Sequence, residues 1–258
     1  MKIKRFILAI IVIMIFSSCS LVFYSEHIHT DLRSNQSGKI GYENSFVVFP
    51  IRKVNFEPPN GCMGPQSSLS SEDIEFRWNE KIEKHLLENY SKQKWTFIEK
   101  NDAMLKDKKT SFAKIKMLCE EASVVSKIQS MEKPVHMFQK LPTDEEMMEL
   151  LKNYSQKFEA KYAIIFIDPS LVGDVQTTST YSANGGFSQS SQTFYTTQFE
   201  IQLWNCDIGQ LLYNSGVHQR QGGFCIFVSP EDAAISNSST DFTSRLSMVV
   251  ETAIANKR

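Results

Sequence analysis

Several common catalytic signatures are missing from this sequence. It contains no GxSxG, no GxxxxGK[ST], no HExxH and no GxGxxG pattern. Those patterns build a nucleophile elbow, a phosphate-binding loop, a zinc-protease helix and a dinucleotide-binding turn. Asp168 follows a predicted buried strand, where active sites of α/β folds often lie, but a single acid defines no catalytic arrangement. The sequence therefore predicts a protein that is not an enzyme and assigns no catalytic residue.

An excess of positive charge is also missing. The chain of 258 residues has 28 basic and 29 acidic residues and a formal net charge of -1. A nucleic-acid-binding surface needs a clear excess of Lys and Arg on one face. Removing residues 1–18 would leave 25 basic and 29 acidic residues, a balance that suits an extracytoplasmic compartment. Nucleic acid is therefore not a predicted partner.

Metal-binding patterns are equally scarce. No CxxC pair is present, and His27 and His29 form a lone HxH without a third or fourth ligand. We therefore predict no metal and no cofactor other than covalent lipid. An exported chain can form disulfides, and four cysteines allow three pairings, all of which stay open. The four cysteines are Cys62, Cys119, Cys206 and Cys225.

The apolar run near the start is too short to cross a bilayer as a helix. It spans eleven residues, 6–16, whereas a crossing takes about 20. Basic residues precede it and Ser17, Ser18 and Cys19 follow it. This three-part pattern predicts a signal peptide over residues 1–18. The alternatives are an ordinary secretory signal with an incidental cysteine and a retained membrane anchor.

The cysteine after the two serines resembles the bacterial lipoprotein signal, or lipobox. In that family the thiol is diacylated, the chain is cut before the cysteine, and the new amine is acylated. Phe16 stands where the family usually has an aliphatic residue. The resemblance implies a palmitate-type lipid on Cys19 that anchors the protein in a membrane. Ser20, in place of the Asp linked to inner-membrane retention, favours an outer-membrane lipoprotein that faces the periplasm.

The remaining chain alternates strand and helix patterns. Apolar runs at 46–51 and 162–167 predict buried strands, and the segment KWTFIEK at 94–100 predicts another strand. Apolar stripes with a helical period predict helices, among them one that starts near the SSED segment at 70–73. Thr143 with Glu146 predicts a capping box for another. The stripes include Trp78, Ile82, Leu86 and Tyr90; Ile115, Leu118 and Cys119; and Met147, Leu150, Leu151, Tyr154 and Phe158.

The C-terminal half changes to a period of two. Residues 174–181 and 193–205 predict a long hairpin, in whose second arm Gln198, Glu200 and Gln202 face away from the apolar side chains. A further strand and a helix with an SSTD N-cap at 238–241 follow. The pattern predicts an α/β (α+β) fold: a mixed sheet with helices mainly on one face, a C-terminal β-meander and a closing helix. The predicted organisation is a signal peptide (1–18), a lipidated polar tether (19–44) and a single periplasmic domain (45–258).

This order of elements resembles a known group of small α/β domains. This group includes the curli-secretion lipoprotein CsgG, the penicillin-binding-protein activator LpoB, the polysaccharide-export lipoprotein PelC and the N-terminal domain of TolB. The segments that carry the resemblance are FVVFPI, KWTFIEKND, AKYAIIFIDPSLVGD and FEIQLWNCDIGQLLYNSGV. Members bind partners or assemble. The resemblance covers about residues 45–256, whereas the segment 103–140 and the Gly/Ser/Gln-rich hairpin tip depart from the pattern.

The tip of the predicted hairpin is the candidate binding segment. It is rich in Gly, Ser and Gln, and Phe187 and Gln189 are the candidate contacts for a partner protein. The predicted function is a non-catalytic envelope lipoprotein that docks to or regulates a periplasmic or outer-membrane assembly. The alternative is an oligomeric ring or pore-forming secretion subunit, so a homo-oligomer stays open. The strand DVQTTSTY has few apolar positions for a membrane-crossing hairpin.

Lipidation at Cys19 predicts a simple fractionation result. The Cys19→Ala variant loses the acylated residue, so we expect its release from the membrane fraction and a shift in gel mobility. Ser20→Ala is the matched control and should stay in the membrane fraction. A Cys19→Ala protein that stays in the membrane with unchanged mobility would rule out the lipoprotein assignment.

Overall fold

The computed structural model describes residues 24–33, 45–59, 69–107, 111–121, 136–138, 144–181, 185–223 and 230–255. The predicted signal peptide, Cys19, Cys62, Cys225 and Thr143 lie outside these ranges. The described strands are β1 (Tyr24–Arg33), β2 (Ser45–Val48), β3 (Asn55–Glu57), β4 (Lys94–Phe97), β5 (His136–Phe138), β6 (Tyr162–Tyr181), β7 (Phe187–Asn205) and β8 (Gln210–Gly223). The helices are α1 (Ser71–Asn89), α2 (Phe112–Glu121), α3 (Glu145–Phe158) and α4 (Pro230–Ala255), with a 3₁₀ turn at Ala103–Leu105.

The described strands form one open mixed sheet. Its order is β4-β2-β6-β7-β8-β1-β5, and β3 pairs with a more distal part of β6. β2 and β3 run parallel to β6, β4 runs parallel to β2, and β5 runs parallel to β1. β6, β7 and β8 form the predicted antiparallel meander, and α4 closes the chain after it. The predicted mixed α/β fold is confirmed.

β6 is the strand on which both halves of the sheet meet. It pairs with β2 and β3 along one edge and with β7 along the other. Its apolar start, YAIIFI, is buried at every position from Tyr162 to Ile167. Successive side chains of a strand point to opposite faces, so a continuous apolar run requires cover on both faces.

One face of the sheet is covered by α1 and α4. Phe242 of α4 is the contact at the centre of this cluster, since its ring stacks on Phe199 of β7 with centroids 3.6 Å apart. The Trp78 ring of α1 lies 4.8 Å from the Phe242 ring, and Phe166 of β6 lies at 6.1 Å. All four side chains are buried, so this aromatic cluster ties both helices to the sheet.

The opposite face is covered by α2 and α3, which differs from the expectation of helices mainly on one face. Ile115 of α2 and Leu151 of α3 pack with Ile165 of β6 in a second buried cluster. Phe49 joins them through rings of Phe112 and Tyr154 at 5.5 and 4.8 Å. The helical stripes were recognisable in sequence, but the face that each helix covers depends on how the chain crosses the sheet.

The polar side of β7 is consequently buried rather than solvated. Gln202 is fully buried, and its Nε2 donates to the Cys119 carbonyl oxygen at 2.9 Å and to Glu200 Oε1 at 2.6 Å. Trp204 Nε1 donates to Gln202 Oε1 at 2.9 Å. Buried polar groups need such partners to offset their lost hydration. The period-two pattern was correct, but α2 covers the face that it predicted to be open.

The helix starts follow predictable capping with two adjustments. Ser70 caps α1 in a full capping box with Asp73, within the predicted SSED segment. For α3 the N-cap is Asp144, whose side chain accepts from Met147 N at 2.9 Å, where the sequence predicted Thr143. α4 begins at Pro230, so the predicted SSTD cap lies inside the helix. The helix starts earlier because Ile235, which precedes that segment, is buried in the core. None of the helices among the described residues is long and apolar enough to cross a membrane.

The segment predicted as a tether contains a strand of the sheet. β1 pairs with β8 from Tyr24↔Gly222 to Arg33↔Tyr213 and with β5 over three residues. The mixed polar sequence of this segment gave little strand signal. Its ten-residue pairing with β8 comes from a partner that lies about 190 residues later in the chain, a separation that local patterns do not encode.

Two cysteines in the described residues are buried free thiols. These are Cys119 and Cys206. Each of the three ways to pair all four cysteines needs both of these residues in disulfides, so none of the three is present. Burial is the main cause that raises the pKa of the Cys119 thiol, and the nearby Glu200 carboxylate raises it further. Burial is also the main cause that raises the pKa of the Cys206 thiol, and the Asp207 carboxylate raises it further. Because the thiolate is the nucleophile, we expect both buried thiols to react slowly in the folded protein.

The aromatic cluster predicts a large cost for truncating Phe242. Phe242→Ala removes a ring that contacts two helices and the sheet, and we expect unfolding to become easier by about 3–5 kcal/mol. The control is Ile208→Ala, at an exposed turn residue, where we expect a change within about 0.5 kcal/mol. Denaturant unfolding followed by tryptophan fluorescence measures both. Equal effects of the two changes would contradict the placement of α4 on this face.

The raised thiol pKa values predict resistance to alkylation. In native protein at about pH 8, iodoacetamide should leave Cys119 and Cys206 unmodified, whereas the denatured chain should react at both. Peptide mass mapping reads out each site separately. Alkylation of either residue in native protein at the denatured rate would contradict its burial.

Candidate functional site

The two longest strands continue beyond the sheet as a two-stranded projection, here called the distal hairpin (residues 176–181 and 187–192). β7 pairs with β8 as far as Thr193, whereas β6 and β7 continue to the pair Tyr181↔Phe187. Among the described residues, the distal hairpin therefore has no third strand beside it. Six residues at a rise of about 3.3 Å each extend it by about 20 Å beyond the third strand.

Two aromatic side chains lie at the end of the distal hairpin. The Tyr181 and Phe187 rings are 5.1 Å apart, and these side chains are 79% and 56% exposed. Gln189 is exposed as well and lies opposite Ser179. Gly185 has φ of 77°, a left-handed conformation that glycine adopts without strain. Phe187 and Gln189, the predicted contacts, thus lie on one exposed structure.

The sequence reasoning missed Tyr181 as the partner of Phe187. The signal lay in the predicted hairpin itself, because the two residues flank the turn symmetrically and share a face.

No charged residue occurs from 175 to 199. At the base of the distal hairpin, Arg220 lies 3.4 Å from Asp174 and its guanidinium covers the Phe194 ring at 4.6 Å. The base is therefore charged and anchored, and the end is neutral and aromatic.

A second concave feature, here called the α1 cleft, lies between α1 and the carboxyl ends of β2 and β4. Its volume is about 410 Å³. Val48 and Phe97 end the two parallel strands, Ile82 of α1 forms the wall, and Phe76 lies at the opening with 69% of its side chain exposed. Ligands of α/β folds often bind beyond the carboxyl ends of parallel strands.

Two polar side chains of α1 hold the chain that follows β2. Asn79 Oδ1 accepts from Ile51 N at 2.8 Å, and its Nδ2 donates to Ile51 O at 3.0 Å. Glu75 is 4% exposed, accepts from Val54 N at 3.1 Å and pairs with the Lys100 ammonium. The walls of the α1 cleft are therefore fixed by hydrogen bonds rather than by packing alone.

The sequence reasoning did not find the α1 cleft. The available signal was Phe76, an aromatic residue on the charged side of an otherwise amphipathic helix. Glu75 and Asn79 read as surface residues of that helix. Their burial depends on the chain after β2 crossing over α1, which no local pattern contains.

The weak catalytic candidate Asp168 has a structural role. It adopts a left-handed φ of 44° where the β6–β7 register shifts between Ile167 and Ser170. Its carboxylate lies 3.2 Å from the Lys116 ammonium of α2. Pro169, which lacks an N–H, lies within this bulge, where no ladder bond is lost. Strand β6 continues beyond this point, so Asp168 does not end a strand.

Across the described ranges, no group of three or more His, Cys, Asp or Glu side chains has a geometry that could hold a metal ion. His85 instead contacts Ser247, with Nε2 and Oγ 2.7 Å apart, and so joins α1 to α4. His218 lies on β8 opposite Gln198. His27 and His29 belong to β1, whose side chains are outside the description.

Comparisons with known proteins give little beyond the geometry. No family model matches the sequence, and no curated protein matches it. Among solved structures, a PelC dodecamer from Paraburkholderia phytofirmans aligns with a TM-score of 0.31 and 8% identity over 90% of this chain and 97% of that chain. A leucine-to-methionine variant of that dodecamer aligns with a TM-score of 0.31 and 7% identity over 91% of this chain and 100% of the other. At this TM-score the alignments support no conclusion about function or assembly.

Proposed function

We propose that this protein is a non-catalytic, lipid-anchored component of the bacterial envelope that docks to a partner protein through its distal hairpin. The anchor is the lipid that the lipobox resemblance implies on Cys19. The partner is a protein of a periplasmic or outer-membrane assembly. The observation that carries the proposal is an uncharged projecting hairpin that ends in two exposed aromatic rings.

The chemistry of the distal hairpin suits recognition of a protein. Exposed large apolar side chains on a projecting element contribute nothing to the core and cost solubility. Aromatic side chains are common energetic anchors of protein interfaces, because their large rigid surface is buried at low entropic cost. Tyr181 also keeps a hydroxyl that can hydrogen-bond a partner.

The backbone of the distal hairpin adds a second means of contact. The outer edges of residues 176–181 and 187–192 carry unpaired peptide groups among the described residues. Edge strands normally carry charges or prolines that prevent pairing with other chains, and this segment has neither. A partner strand can therefore add to an edge while its side chains contact the aromatic end.

The base of the distal hairpin is rigid, so the orientation in which the hairpin meets a partner is defined. The same two strands form the centre of the core, so the hairpin continues from buried, hydrogen-bonded backbone. Thr177 Oγ1 and Ser191 Oγ lie 3.1 Å apart and add one cross-strand contact. Interfaces on ordered elements avoid part of the ordering cost of binding.

The proposal is tested by photo-crosslinking in the native envelope. A benzoylphenylalanine at position 189 places the crosslinker on the exposed distal hairpin without altering the aromatic pair. We expect a discrete crosslinked product with another envelope protein. In the Tyr181→Ser, Phe187→Ser double variant, the product should fall at least about tenfold, because two anchor residues of an interface are lost.

The matched control is Ile208→Ser, which removes an exposed apolar side chain at the β7–β8 turn, at the other end of β7. This variant should keep the full crosslink yield. A product composed of two copies of this chain would instead favour the oligomeric alternative. Equal crosslinking in the double variant and the wild type, or no product at all, would overturn docking through the hairpin.

A further inference from the structure

The α1 cleft combines an apolar interior with an excess of negative charge. Its lining holds four carboxylates and one ammonium. The buried Glu75 carboxylate pairs with the Lys100 ammonium, whose side chain is partly exposed, and the two charges cancel. The other three carboxylates form no ion pair within the part of the chain that the structure describes, so the lining of the cleft carries a net negative charge. They belong to Glu72, Glu83 and Glu99.

The shape of the cleft selects a small ligand rather than a flat surface contact. A volume of about 410 Å³ lies at the lower end of the range of about 300–1,000 Å³ for ligand pockets. Its floor comes from the ends of two paired parallel strands, and its wall is held by the Asn79 and Glu75 hydrogen bonds. The cavity is therefore preformed, which lowers the entropic cost of binding.

The arrangement of the carboxylates excludes one class of cation. A divalent metal needs several oxygen ligands within about 2.5 Å of one point. Among the described residues no cluster of three such side chains meets that need. The α1 cleft therefore suits a cation that separated carboxylates attract without coordinating it as metal ligands.

Phe76 and Phe97 supply the remaining chemistry. Both side chains line the cleft, and Phe76 is largely exposed whereas Phe97 is half-buried. An aromatic face attracts an ammonium group, and a desolvated alkyl or aryl group gains by contact with the floor. A ligand with both parts matches the site better than a purely polar or a purely apolar one.

We propose that the α1 cleft binds a small organic cation, a primary amine with an alkyl or aryl body. Its ammonium group lies at the opening near Glu83 and Glu99, and its apolar body contacts Ile82 and Phe97. This site is separate from the distal hairpin and goes beyond the docking function. Either one can fail without the other.

The test is calorimetric titration of the full chain, purified in a neutral detergent, with phenethylammonium and hexylammonium. Titrations into micelles alone are subtracted. Hexanol and hexanoate are the matched neutral and anionic probes. We expect saturable binding of both amines, weaker binding of hexanol, and none of hexanoate. Amine binding should weaken as salt rises from about 0.01 to 0.5 M, because the opposing charges are near solvent.

Variants locate the binding in the α1 cleft. Glu83→Gln with Glu99→Gln removes two charges at nearly constant size, and we expect amine affinity to fall about fivefold or more. The control is Glu88→Gln on the same helix, where Glu88 lies 3.9 Å from the Lys84 ammonium and outside the cleft. That variant should bind like the wild type. Thermal unfolding confirms that each variant is folded.

Three results would overturn the proposal. One is the absence of saturable amine binding by the folded wild type. Another is equal affinity for hexylammonium and hexanol, which would mean an apolar pocket without cation selectivity. The third is an equal effect of the cleft and control substitutions, which would mean only nonspecific attraction to surface charge.

Discussion

The structure depends on the burial of β6 on both of its faces. Residues 162–167 are apolar without interruption, and a strand sends successive side chains to opposite sides. Both sides therefore need cover, and two helices supply it on each face. The same requirement encloses Glu200 and Gln202 of β7, whose polar groups then need partners inside the protein. The aromatic contacts of Phe242 follow from it on the other face.

The proposed docking element is an extension of this core. β6 and β7 are buried where four helices cover them and exposed beyond that point, with no break in their pairing except the bulge at Asp168. The transition is marked at Gly173, where an added Cβ would lie 2.5 Å from Pro59 Cδ. Only glycine permits this close approach. A core strand thereby becomes a projecting hairpin whose orientation is set by the sheet.

The α1 cleft depends on a different part of the fold. It is formed where α1 connects the β2–β3 segment to β4, and Asn79 and Glu75 fix the intervening backbone. The distal hairpin shares no residue with it. The protein thus has two separate features, one projecting, neutral and aromatic, and one concave, acidic and apolar. Their chemistry suits a protein partner in the first case and a small cation in the second.

The sequence alone determined the elements whose signals are local. The apolar runs predicted β2 and the start of β6, and the segment KWTFIEK predicted β4. The helical stripes predicted α1 and α3, and the alternation of 193–205 predicted the long hairpin with Phe187 near its end. The sequence also lacks the searched catalytic motifs, and its resemblance to a lipobox predicts lipidation at Cys19. Tertiary structure decided the features that join distant segments. β1 pairs with β8, α2 covers Gln202, and Glu75 meets Lys100. Local periodicity reports which face of an element is apolar, whereas which distant segment covers that face is decided only when the chain folds.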